Sequence, residues 1–127
     1  MRVLHGALLA LLCLVLLAGC ATARASYDIK TTTIEVQTGQ EFSIRLDSNI
    51  TTGYSWQLGA PLDGKVLVLV GSQYVEPKTD AVGAGGQEVW TFKAVAPGKT
   101  TIALNYLRPW EKDVAPAQTA AFAVTVR

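Results

Sequence analysis

The sequence predicts an all-β domain, an immunoglobulin-like sandwich of about seven strands. Three observations predict it. Apolar residues recur at every second position in run after run, short segments rich in Gly, Pro, Asn or Asp separate the runs, and no window beyond residue 27 repeats apolar residues at helical spacing. Several short strands with regular turns are the pattern of a two-sheet sandwich. The Cys and Trp spacing of antibody domains is absent.

The first 27 residues lie outside that pattern. MRVLHGALLALLCLVLLAGC has one early Arg, an apolar run from Ala7 to Ala18, and small residues at its end. The run is short of the roughly 20 residues that cross a bilayer, so residues 1–19 read as a secretory signal peptide. Leu17-Ala18-Gly19-Cys20 resembles the lipobox of bacterial lipoproteins. That resemblance implies cleavage before Cys20 and lipidation of Cys20. Residues 20–27 then form the lipidated Cys and a short tether, and the domain occupies 28–127. Seven extended residues reach at most about 25 Å, so the domain stays close to its membrane. Ala21 follows the Cys where Asp would retain an enterobacterial lipoprotein. By that resemblance the expected place is the outer membrane, with the domain facing the periplasm or the cell surface.

Within 28–127 each run has its own face. Ile34 and Val36 alternate with polar neighbours, as do Phe42, Ile44 and Leu46. Trp90, Phe92 and Ala94 share a face, as do Ile102, Leu104 and Tyr106, and Phe122, Val124 and Val126. Trp56 and Trp90 are read as core, and Tyr54 falls on the face of Trp56. KVLVLV is continuous and is expected to be buried on both sides. The acidic residues Glu41, Asp47, Asp63 and Glu111 are scattered and read as solvated surface.

Composition removes several function classes. The one His is His5, and the cysteines are Cys13 and Cys20, so residues 21–127 contain neither type. That excludes Ser-His and Cys-His nucleophilic machinery, zinc sites built on those ligands, and disulfides within the domain. A domain of this size is not expected to hold the cleft that a carboxylate-pair hydrolase needs. Loss of Arg2 with the signal leaves equal numbers of basic and acidic residues, which gives no footprint for nucleic acid. Nothing calls for a cofactor or a metal, and nothing requires more than a monomer.

Three connections are longer or odder than a turn requires. They are Asn49-Ile50-Thr51-Thr52-Gly53-Tyr54, then Gly83-Ala84-Gly85-Gly86 within a Gly-rich stretch from Pro77 to Gln87, then Arg108-Pro109-Trp110. In a Greek-key sandwich such loops can gather at one end. Each is bland alone. Asn, Thr and Gly are ordinary turn residues, with Asn49 expected to bond its own backbone. GAGG lacks the Lys-Ser/Thr and helix start of a phosphate loop. Trp110, between Pro109 and Glu-Lys-Asp, reads by itself equally as a core ring or as an exposed anchor.

Together and in this order, the three resemble the chagasin family of cysteine-protease inhibitors, whose pattern is N-P-T-T-G-Y/F, G-x-G-G and R-P-W. The resemblance spans essentially the whole domain. It implies an inhibitor rather than an enzyme, with a papain-like cysteine protease as partner. It also implies that the first loop enters the catalytic cleft and the other two flank it. Ile50 stands where the family has Pro. A Pro there would restrict the loop before binding, worth ~0.4–1 kcal/mol. The threonines would present compact, χ1-restricted hydroxyls on a narrow tip. The alternative is a non-inhibitory envelope lipoprotein module that binds through the same loops.

Overall fold

A computed structural model describes residues 24–127. The expected signal peptide, residues 1–19, and the expected lipidation site, Cys20, lie outside the described residues. Eight strands form two four-stranded sheets. One sheet orders β1 (Ala25–Tyr27), β3 (Glu41–Ser48), β6 (Gly86–Ala94) and β5 (Leu67–Val75). The other orders β2 (Thr33–Val36), β8 (Gln118–Val126), β7 (Gly98–Leu107) and β4 (Ser55–Leu58). A single 3-10 turn, Ile50–Thr52, follows β3. This is the expected all-β, immunoglobulin-like sandwich.

The period-two faces build its core. Phe42, Ile44 and Leu46 of β3 face inward, beside Trp90, Phe92 and Ala94 of β6. From the second sheet come Ile34, Trp56, Ile102, Leu104, Phe122 and Val124, all buried. Phe42 and Phe92 stack at 5.6 Å between ring centroids. Each large apolar side chain so buried contributes about 1.5–3 kcal/mol, which is how a domain without disulfides stands on packing.

The strands differ from expectation in two places. Ala25–Tyr27, assigned to the tether, pairs in parallel with Phe42–Ile44 and becomes the eighth strand. Arg24 fixes its start by an ion pair to Glu41 at 2.6 Å. KVLVLV is not buried on both sides. Val66 and Leu67 enter the core, but β5 is an edge strand, and Val68, Leu69 and Val70 are exposed. A register shift between Leu69 and Gly71 breaks the ladder there. Such a bulge twists an edge away from further pairing.

Ladder ends fix where the connections go. Ser48 lies opposite Gly86, Val75 opposite Gln87, Ser55 opposite Leu107, and Tyr106 opposite Gln118. The segments 49–54, 76–85 and 108–117 therefore leave from one pole of the sandwich. At the other pole Glu41 faces Lys93, Leu67 faces Ala94, and Gly98 faces Val126.

Candidate functional site

The first loop is folded by its own side chains. Asn49 is extended (φ −120°, ψ 96°) and caps the 3-10 turn: its Oδ1 accepts from Thr51 N at 3.2 Å and from Thr51 Oγ1 at 2.6 Å. Thr52 Oγ1 donates to Asn49 O at 2.6 Å and accepts from Tyr54 N at 3.4 Å. Thr52 N and Gly53 N close the turn onto Asn49 O and Ile50 O. Gly53 ends it at φ 81°, the left-handed region that glycine enters without steric cost. Both threonine hydroxyls thus spend their protons inside the loop. Toward a partner they offer lone pairs only.

Beneath the turn sits an aromatic platform. The Tyr106 hydroxyl accepts from Asn49 N at 2.9 Å. The Tyr54 ring stacks on Tyr106 at 5.3 Å, and Trp56 tilts against the same ring at 5.1 Å. Trp56 then reaches the opposite sheet. Its indole Nε1 donates to Asp47 O at 3.0 Å, and its backbone N donates to the Glu88 carboxylate at 3.0 Å. Glu88 is only 8% exposed. A buried backbone N–H on edge strand β4 is satisfied this way, without a ninth strand.

The other loops are tied to the first. Asn49 Nδ2 donates to Gly83 O at 3.3 Å, joining it to the second loop. Arg108 Nε donates to Thr52 O at 3.0 Å, joining it to the third. The Arg108 guanidinium lies 4.5 Å from the Tyr54 ring centroid and pairs with Glu111 at 3.1 Å. The Trp110 ring covers Gly53 so closely that a β-carbon there would come within 2.3 Å of Cη2. One asparagine and one arginine, with an indole on a glycine, make three loops a single edge.

The thirteen loop residues named from the sequence do not all play one part. Asn49–Tyr54, Gly83 and Arg108–Trp110 converge, and Ala84 and Gly85 complete the second loop's return into β6. Gly86 does not belong to the loop. It is the first residue of β6, buried, and a β-carbon there would lie 2.2 Å from Val75 O and 2.6 Å from the Tyr74 hydroxyl. Its glycine serves close strand packing. Arg108, on a loop expected to flank the cleft, bonds other loop atoms, Thr52 O and the Glu111 carboxylate. Trp110 is 67% exposed and Ile50 52%, and Val82 stands fully exposed on the second loop.

Four contributors escaped the sequence reading: Glu88, Tyr106 as a platform, Glu111 as the partner of Arg108, and Val82. Glu88 left a signal. It continues inward the face of Trp90, Phe92 and Ala94, and a charge on an apolar face implies a buried partner. Glu111, three residues after Arg108, was a local opposite-charge pair that went unread. Tyr106 depends on contacts 50 or more residues away and Val82 on exposure, and neither left a signal.

Comparison with known proteins agrees with this geometry. Residues 35–126 match the model of the chagasin family of peptidase inhibitors, I42. Chagasin of Trypanosoma cruzi is 33% identical over 81 residues, 61% of this chain and 74% of its own length. Amoebiasin-2 of Entamoeba histolytica is 30% identical over 95 residues, 75% of this chain and 77% of its own. Among solved structures, the cysteine protease inhibitor EhICP2 of Entamoeba histolytica is similar with a TM-score of 0.72 at 25% identity, covering 81% of this chain and 95% of that one. The match takes in most of the strand framework and all three loops, and on it the chain belongs to the chagasin family of peptidase inhibitors.

Proposed function

We propose that the chain is a reversible, tight-binding inhibitor of papain-like cysteine proteases that blocks the active-site cleft with its three joined loops. The observation that carries this is the convergence of the three motifs on one pole, linked by Asn49 Nδ2 to Gly83 O and Arg108 Nε to Thr52 O. The relative EhICP2 is described as a cysteine protease inhibitor, which supports the same target class here.

The geometry suits a plug that is not cut. A papain-like cleft holds a thiolate beside a protonated imidazole, and attack needs an extended peptide whose carbonyl is exposed to the sulfur. Residues 50–52 are wound into a 3-10 turn whose Asn49 and Ile50 carbonyls are already bonded to Thr52 N and Gly53 N. The loop offers no extended bond at its tip. The lone pairs of the Thr51 and Thr52 hydroxyls can accept from the imidazolium or from backbone N–H groups of the cleft. A bond from a charged donor is the stronger kind. Trp110 and Val82 supply apolar contact on either flank. Lipidation of Cys20, which the resemblance of Leu17-Ala18-Gly19-Cys20 to a lipobox implies, would hold this inhibitor at a bacterial outer membrane.

Titration of papain with the 24–127 domain tests the reading. The expected outcome is stoichiometric loss of activity, with trypsin unaffected. Undiminished papain activity at excess domain, equal inhibition of both enzymes, or cleavage between Asn49 and Tyr54 at substrate rates would overturn it.

A further inference from the structure

The tethered end of the domain and its three loops lie at opposite poles. Arg24 is held against Glu41, where β3 begins, and loop 1 leaves from Ser48, where β3 ends. Seven steps of about 3.4 Å separate those points by roughly 24 Å. β1 runs parallel to β3, so the chain enters at the far pole and climbs toward the loops. Between Cys20 and Arg24 there are four peptide steps, at most about 14 Å of extended chain. A linker that short cannot carry the chain from the bilayer around the domain to its loop pole.

We propose that the pole opposite the loops is a membrane-facing surface, and that an acylated Cys20 holds the domain on it with the three loops turned away from the bilayer. The inference rests on the lipidation reading of Cys20 and not on inhibition. The surface is suited to headgroup contact in a limited way. Across the outer face of the β1-β3-β6-β5 sheet, the row nearest this pole carries Glu41, Lys93 and Val68, with Arg24 on Glu41. Exposed Val68 and Val70 lie on the edge strand, and Lys65 precedes it. Lys99 and Arg127 lie at the same pole, as do acidic Glu35, Glu41 and Asp63, and Arg127 pairs with Glu35 as Arg24 does with Glu41, so net charge attraction is small. The acyl chains hold the domain there, since burial of covalent lipid in the bilayer, rather than charge, supplies the anchoring. A protease arriving from the aqueous side then meets the loops unobstructed.

The test uses the full-length protein, processed in a lipoprotein-competent host and reconstituted into vesicles of phosphatidylethanolamine and phosphatidylglycerol. With Cys20 acylated, a cysteine introduced as Lys65→Cys or Val82→Cys is the single free thiol and carries a fluorophore. A quencher on lipid headgroups should dim the Lys65 label at least fivefold more than the Val82 label. Equal quenching, or stronger quenching at Val82, overturns the orientation whether or not the protein inhibits papain. Mass spectrometry of the same sample should show an acylated N-terminal Cys20. A chain that begins elsewhere or is not acylated overturns both the lipidation reading and this one. Papain binding to vesicles that carry the unlabelled protein with Lys65 and Val82 intact should match that of the free 24–127 domain within twofold. A tenfold loss on vesicles, with inhibition intact in solution, would place the loops against the membrane and contradict the proposal.

Discussion

At Gly53, backbone conformation and packing impose the same requirement. Its φ of 81° disfavours any L side chain, and the indole of Trp110 fills the space where a β-carbon would go. A left-handed L-residue costs roughly 1–2 kcal/mol, and the overlap must in addition displace Trp110. Gly53→Ala should therefore weaken papain inhibition by tenfold or more, read as a dissociation constant, and lower the melting temperature by roughly 4–16 °C without unfolding the domain at 25 °C. The tryptophans separate binding from stability. Trp110 is 67% exposed and Trp90 6%. Loss of an interface anchor weakens binding by about 2–4 kcal/mol, so Trp110→Ala should bind poorly and melt nearly as the parent does. Loss of a core Trp costs about 3–5 kcal/mol of folding stability, so Trp90→Ala should melt low and lose inhibition only as the fold fails. Thermal melts beside dissociation constants for the two variants check both. A Trp110→Ala protein that melts low but binds normally once folded would remove the third loop from the site.

At the scale of an element, loop 1 shows what a local sequence discloses. Asn49 with Thr two and three residues on, then Gly, is a capping and turn signal, and the 3-10 turn follows from it. The sequence does not say that the hydroxyls face inward as donors, because Asn49 itself supplies the acceptors. Nor could local pattern show that Arg108 grips Thr52, 56 residues away. Strand β1 was illegible for a similar reason. Ala-Ser-Tyr has no apolar alternation of its own, and its place is set by a parallel register on β3. KVLVLV misled because a continuous apolar run suits both a central strand and an exposed edge. Ile50 opens the turn, and among the described residues no hydrogen bond of the loop uses its N–H. Pro is favoured at a first helical position for that reason. Ile50→Pro should raise stability by about 0.4–1 kcal/mol through the unfolded state, and it should slow dissociation from papain severalfold. A lower melting temperature would mean that the Ile50 N–H or side chain has a role not captured by this account.

Across the whole molecule, the two sheets meet beneath the site through polar atoms as well as through the core. The Glu88 carboxylate on β6 accepts the backbone N–H of Trp56 on β4, and Asp47 O on β3 accepts its indole. Glu88→Ala would strand a buried donor, a loss of about 1–3 kcal/mol. Glu88→Gln keeps an acceptor and should recover most of it, as denaturant melts of the two variants would show. The architecture was legible because the apolar faces of β2, β3, β6, β7 and β8 keep strict period two. The edge was legible only as three motifs, since the contacts that join them link residues 34 and 56 apart in the sequence. The joined loops are proposed to occupy the catalytic cleft of a papain-like protease. The most direct measurement compares binding of the 24–127 domain to native papain and to papain whose cleft is filled by a covalently bound peptidyl ketone. Binding to native papain alone is the predicted result, and equal binding to both forms would contradict it.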